Sequence, residues 1–301
     1  MNIFPTWLKS AVGSILTIPT RLAYRKCSSY LLPSFTHLIS HTDELASPST
    51  GLYSSWLVSN STKAFPPSSP ERTPNILSSR VMGTNFASTF TSAITTCNLV
   101  LDIFSHPDAA ALLRDEVVSL NLKTEKNTDT NSWDHSQLKH LPRLDSALRE
   151  SMRLWHLAPK SLARKVIHPD GITLPDNQHM PQGITLCISA WGVHHDQNLY
   201  PQPFEFIHDR FMPHSPEGEE KKTAAAVEPD GNFLSWGVGK HACPGRWFAV
   251  DLIKIVVGKI LLNYEVEMLS ERPENVWIEY NVIPPPSATL SVRRRKAHSV
   301  I

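Results

Sequence analysis

A chain of 301 residues in which 41% are hydrophobic, with eight tryptophans, can bury the core of one large domain or two small ones. Its 29 basic residues against 28 acidic ones leave a formal net charge of +1, which removes any electrostatic case for a nucleic-acid partner. The four cysteines, Cys27, Cys97, Cys187 and Cys243, are scattered without a C-x-x-C pair, so neither a zinc site nor a disulfide framework is indicated and a reducing compartment fits. In chain order, Met1 to Pro5 followed by Trp7, Leu8, Ile15 and Leu22 opens a helical pattern over about 6–39, whose apolar run from Ala11 to Ile18 is too short to cross a bilayer. Phe65-Pro66-Pro67-Ser68-Ser69-Pro70 reads as a linker. A long helix is expected over about 74–105, capped by Thr73, with Pro74 in its first turn and His106-Pro107 at its end. Further helices are expected near 108–120, 134–138, 142–155 and 244–263. Short strands fall near 162–167, 184–189, 263–268, 276–281 and 288–293. Pro213 to Gly231 reads as a surface loop, and His194-His195 as a packing pair in a turn. The reading is a mainly α chain with small β-sheets and no internal repeat.

The most informative stretch is Ser235-Trp236-Gly237-Val238-Gly239-Lys240-His241-Ala242-Cys243-Pro244-Gly245-Arg246. Gly237 and Gly239 let the backbone approach something flat and bulky, and Pro244 suits the first turn of a helix carrying Phe248, Leu252, Val256 and Ile260. Sulfur at a helix N-terminus is favoured as the anion and is ready to bind metal. The stretch resembles the haem-ligand signature of the cytochrome P450 (haem-thiolate monooxygenase) family, F-x-x-G-x-[RH]-x-C-x-G, with Trp236 in place of phenylalanine. The resemblance implies that Cys243 is the axial ligand of the haem iron. It also implies that Gly239 and Gly245 pack against the porphyrin, that His241 faces a propionate, and that Trp236 walls the sulfur and shifts its redox potential. A buried free cysteine is the bland alternative, and five fixed positions at this spacing weigh against it.

Leu141-Pro142 opens a helix whose apolar residues Leu144, Leu148, Met152 and Trp155 recur at helical spacing and leave Glu150 and Arg153 on another face. Alone, such a pair is usually a solvated one worth a few tenths of a kcal/mol. Here it resembles the family's E-x-x-R, and Tyr200 to Phe211 resembles the segment ending F-x-P-x-R-F, with His208 in place of proline. The resemblance implies that Arg210 folds onto Glu150 and Arg153 in a structural charge network. In the strand-like run Leu162 to Ile167, before the turn Pro169-Asp170-Gly171, Arg164 matches an arginine that the family directs to a haem propionate.

Within the long helix, Asn85 to Ser92 resembles the family's [AG]-G-x-[DE]-T-[TS] motif, with Ser88 for the glycine and Phe90 for the acid. By that match Thr91 is the threonine that helps bring protons to dioxygen. Phenylalanine relays no proton, so the route must use Thr91, Ser92 and water. Ser88 and Thr89 are expected to bond back to the helix backbone.

The resemblance implies the carboxyl-terminal portion of the P450 fold, shortened at the amino end. Residues 1–73 would be partial N-terminal helices and linker, and 74–301 the haem-binding catalytic portion. It further implies haem b, an NADPH-dependent cytochrome reductase as electron donor, dioxygen, and an apolar small-molecule substrate of fungal secondary metabolism met by Phe86, Phe90, Leu157 and Ala158. Family members sit on the endoplasmic reticulum membrane, whereas this chain shows no span of its own and points to the cytoplasm. The alternatives are a haem-binding remnant without turnover and a peroxide-driven oxidation, the latter because no acid precedes Thr91.

Overall fold

The computed structural model describes residues 12–41, 52–125, 133–212, 225–278 and 281–295. The chain forms two compact units, Met1–Thr89 and Phe90–Ile301. The first contains a helical turn at 12–16, α1 (Ile18–Ser40), α2 (Tyr53–Ala64), a 3-10 turn at Pro70–Arg72, and the start of α3 (Pro74–Phe104). Phe35 of α1, Leu57 and Val58 of α2, and Leu77 of α3 form its small core. The expected helix over 6–39 is thus found from residue 12 onward, and its start lies outside the described residues. α2 has no counterpart in the sequence reading because Ser54, Ser55, Ser59, Asn60 and Thr62 compete for backbone hydrogen bonds. Burial of Leu57 and Val58 holds it helical nonetheless.

The second unit continues α3 and adds α4 (Pro107–Glu125), α5 (His135–Leu138) and α6 (Pro142–Leu154). It then has strands β1 (Lys160–Lys165), β2 (Ile172–Thr173), β3 (His179–Met180) and β4 (Thr185–Ser189), and a short α7 (Ala190–His194). A helix α8 (Arg246–Asn263) and strands β5 (Tyr264–Val266), β6 (Val276–Ile278), β7 (Asn281–Ile283) and β8 (Val292–Arg294) complete it. Among the described residues the strands form four antiparallel pairs, β1 with β4, β2 with β3, β5 with β8 and β6 with β7. The core gathers Leu99 and Ile103 of α3, Leu113 and Val117 of α4, Leu144 and Leu148 of α6, and Val250, Ile253 and Val257 of α8. Helices α4 and α8 pack directly on each other. No described helix is long and apolar enough to cross a membrane.

Several expectations move. The strand expected over 276–281 is a hairpin of β6 and β7, and residues 279–280 lie outside the described ones. The last strand begins at Val292, four residues after the expected start, because Pro284, Pro285 and Pro286 precede a turn rather than a ladder. The loop expected over 213–231 lies outside the described residues as far as 224; in the rest Glu228, Asp230 and Gly231 are exposed as expected, while Ala226 is fully buried. The polar face of α6 is covered as well: Ser146 through Leu154 are all buried.

Candidate active site

The cysteine loop runs from Leu234 to the start of α8. Gly237 at φ +69° and Gly239 at φ +63° take left-handed backbone, which fits glycine. Cys243 N–H donates to the Trp236 carbonyl (2.7 Å), closing the loop on itself through a 3-10 turn at Gly239–His241. Helix α8 starts at Arg246 with Gly245 as its N-cap, two residues later than expected, so Cys243 and Pro244 lie just outside it. The Cys243 thiol is free and half-buried. Beside the loop, β1 carries a bulge between Ser161 and Arg164 in which Leu162 takes φ +55°. A Cβ built on Gly237 would lie 3.6 Å from Leu162 Cδ2, whereas one on Gly239 would meet nothing within 4 Å. Arg164 is exposed and donates to the neighbouring Ala163 carbonyl (2.9 Å), and His241 is exposed.

Helix α6 anchors this loop from beneath. Arg153 donates Nε to Glu150 Oε2 (2.7 Å) and Nη2 to Oε1 (2.8 Å). Its Nη1 reaches the carbonyls of His194 (2.6 Å) and Pro203 (2.7 Å). Arg210 donates Nε to Glu150 Oε1 (2.9 Å) and Nη1 to the Pro201 carbonyl (2.6 Å). The two guanidinium groups therefore share one buried carboxylate, with Glu150 and Arg153 wholly shielded from solvent. His194 carries the arrangement onward. Its Nε2 accepts the Leu234 N–H (2.9 Å), and Ser235 Oγ donates to the Met152 carbonyl (3.1 Å). His194 stacks on Phe233 and His195 on Trp191, so this pair packs as its sequence position indicates. Burial pushes His194 down to about 3, with the His156 and Arg153 charges adding, and pushes His156 down to about 4.

Arg149 was not singled out from the sequence, yet it is the other buried cation of α6. It donates to the carbonyls of Ala225 (2.6 Å) and Glu228 (2.7 Å) and to Asp230 Oδ2 (2.6 Å). Its guanidinium stacks on Phe233, 3.9 Å from the ring centroid. Burial pulls it below the ordinary arginine value, against the opposing pull of Asp230. One turn earlier, Asp145 accepts the Ala226 N–H (2.7 Å) and the Lys254 ammonium (2.8 Å). The Trp236 indole N–H ends on the Ala226 carbonyl (2.6 Å). A second missed centre is Asp102 near the end of α3, which accepts Ser151 Oγ (2.5 Å), Trp155 Nε1 (2.8 Å) and the Arg272 guanidinium. Burial pushes the Asp102 carboxyl up, while Arg272 and the hydrogen bonds pull it down. A sequence signal existed: an acid inside the apolar run Leu99 to Phe104, close to the negative end of a helix, needs a buried partner.

Of the remaining candidates, Thr91 is exposed on α3, and Ser92 is buried with its Oγ unbonded among the described residues. Ser88 Oγ bonds back to the Asn85 carbonyl (3.3 Å). Phe86 is 70% exposed and Phe90 48% exposed. Leu157 and Ala158 are half-buried after α6, and the Leu157 carbonyl accepts the Val282 N–H (3.2 Å).

The sequence profile of the cytochrome P450 family matches residues 69–292, and the chain belongs to that family. It is 31% identical over 298 residues to cytochrome P450 monooxygenase efuH of Hormonema carpetanum, covering 95% of this chain and 52% of that protein. It is 30% identical to cytochrome P450 monooxygenase fsoD of Humicola fuscoatra, covering 98% of this chain and 57% of that one. Among solved structures, a cytochrome P450 named CYP102L1 superposes with a TM-score of 0.57 at 23% identity, covering 74% of this chain and 46% of its own, a likeness of fold. The chain spans about half the length of the curated relatives it matches. The mainly helical architecture with small sheets is thus part of the cytochrome P450 fold.

Haem is the cofactor that this family implies, and the residues present fit it. The loop offers one soft sulfur donor that is in no disulfide. It also offers open space at Gly239, where a side chain would otherwise project.

Proposed function

We propose that the chain carries the haem-binding part of a monooxygenase that inserts one atom of dioxygen into an apolar small molecule. The observation that carries this reading is the free Cys243 thiol ahead of α8, on a loop whose Gly237 and Gly239 take left-handed backbone and whose closure is hydrogen-bonded. A thiolate-held haem supplies redox activation of dioxygen. Cys243 Sγ would hold its iron, and Gly239 and Gly245 would leave room for it beside the loop. Arg164 and His241 would take the propionates, since both side chains reach solvent on or beside the loop. The Glu150, Arg153 and Arg210 network has a structural role, fixing the backbone on which the loop rests. Thr91 and Ser92 would hold and pass protons, because Phe90 cannot. The substrate-facing role of Phe86, Phe90, Leu157 and Ala158 follows family position. Haem b as the specific cofactor and an NADPH-dependent cytochrome reductase as donor follow from family resemblance, while a fungal secondary metabolite as substrate is supported by the Lys240 to Ala249 run and by the fungal sources of the relatives.

The test is spectroscopic and chemical. Haem-loaded protein should give a thiolate-type carbon monoxide spectrum and reductase-dependent product, and Cys243→Ser should abolish the spectrum. Haem uptake without product would favour the remnant without turnover. Product formed only with peroxide would favour the peroxide-driven reading, to which Phe90 at the acid position lends support. Thr91→Ala should uncouple electron use from product; unchanged coupling removes Thr91 from the proton route.

A further inference from the structure

We propose that Trp236 is a positioning residue whose indole N–H latches the cysteine loop onto the turn at residues 225–228. The family signature carries phenylalanine here, which has no hydrogen to donate, so the latch is a property of this chain's own substitution. The indole Nε1 donates to the Ala226 carbonyl at 2.6 Å, and the ring packs against the main core. The turn that offers this carbonyl is itself held on both sides of Ala226. Ala226 N–H donates to Asp145 Oδ2 at 2.7 Å, and Arg149 takes the Ala225 and Glu228 carbonyls at 2.6 and 2.7 Å. Arg149 also binds Asp230, whose Oδ1 accepts the Asn232 and Phe233 N–H groups at 2.7 Å each and so sets the chain entering Leu234.

One residue therefore joins two rigid pieces. The side chain of Trp236 is fastened to α6 through the turn, while its main-chain carbonyl receives the Cys243 N–H at 2.7 Å. With the indole unfastened, the backbone torsions of Trp236 lose one of their restraints, and the main-chain contact that fixes Cys243 would open more often. A buried indole N–H normally finds a partner, and here that partner is the carbonyl of a residue whose own N–H is bonded to Asp145.

The latch is a property of the folded chain, and only its effect on the sulfur ligand rests on the haem-thiolate reading above. Amide hydrogen exchange on the full chain tests it directly. In Trp236→Phe the Cys243 amide should exchange about tenfold faster, as expected for loss of one buried hydrogen bond, while Val257 in α8 keeps its rate. An unchanged Cys243 rate overturns the proposal. Should the phenylalanine variant not fold, benzothienylalanine at position 236 keeps the ring shape and removes only the N–H, with the same two outcomes. In an Arg149→Lys background the turn is already loosened, so Trp236→Phe should add less than threefold. A full tenfold effect there overturns the coupling to α6. On haem-loaded protein, Trp236→Phe should keep haem content yet lose its thiolate-type spectrum sooner on standing. A wild-type chain that takes up no haem removes the functional reading and leaves the exchange result standing.

Discussion

Glu150 accepts hydrogen bonds from Arg153, Arg210 and the Ile207 N–H (3.2 Å) while wholly buried, so its charge cannot be removed quietly. Glu150→Ala leaves two guanidinium groups facing a void, and we expect a loss of about 3–5 kcal/mol in urea denaturation. Glu150→Gln retains an acceptor and should lose less. Two glycines separate steric from conformational cost. A Cβ on Gly258 in α8 would lie 2.5 Å from Trp133 Cζ3, so Gly258→Ala should destabilise by about 1–3 kcal/mol. A Cβ on Gly239 meets nothing, and Gly239→Ala should cost only the left-handed backbone term, about 1 kcal/mol, in the same assay.

At the scale of elements, α6 is a double-sided fastener: Glu150 and Arg153 hold residues 203–210, while Asp145 and Arg149 hold residues 225–230. Asp102 ties α3 to the same helix through Ser151 and to the segment after β5 through Arg272. Asp102→Ala should therefore lower the melting temperature sharply, with about 3–5 kcal/mol lost. The double variant Asp102→Leu with Arg272→Met should recover part of that loss, since no buried charge is stranded. The sequence made the long helix, the Glu150 and Arg153 spacing and the cysteine loop legible, because helical period, proline and glycine punctuation act locally. It did not make Arg149 legible, and for Asp102 it signalled a need for a buried partner without naming one, since their partners lie 76 to 81 and 49 to 170 residues away and no local rule links them. It also hid α2, whose helicity comes from packing rather than propensity.

For the whole molecule, His156 and His194 impose an acid limit. Both are buried and depressed, to about 4 and about 3, whereas the unfolded chain protonates near pH 6.5. Depressed bases contribute stability that is full above pH 6.5 and drains as pH falls toward those values. At pH 5 each should cost about 2 kcal/mol relative to pH 7, read as a fall in urea midpoint, and His156→Leu should flatten the curve. Finally, α6 grips the chain at both margins of residues 213–224: Ser146 Oγ accepts the Phe211 N–H (3.1 Å), and Asp145 accepts the Ala226 N–H (2.7 Å). Covalent continuity between those margins should then be dispensable for the fold. Two polypeptides divided inside 213–224 and co-expressed should reassemble and co-purify, with Cys243 supplied by one partner and its supporting helix by the other.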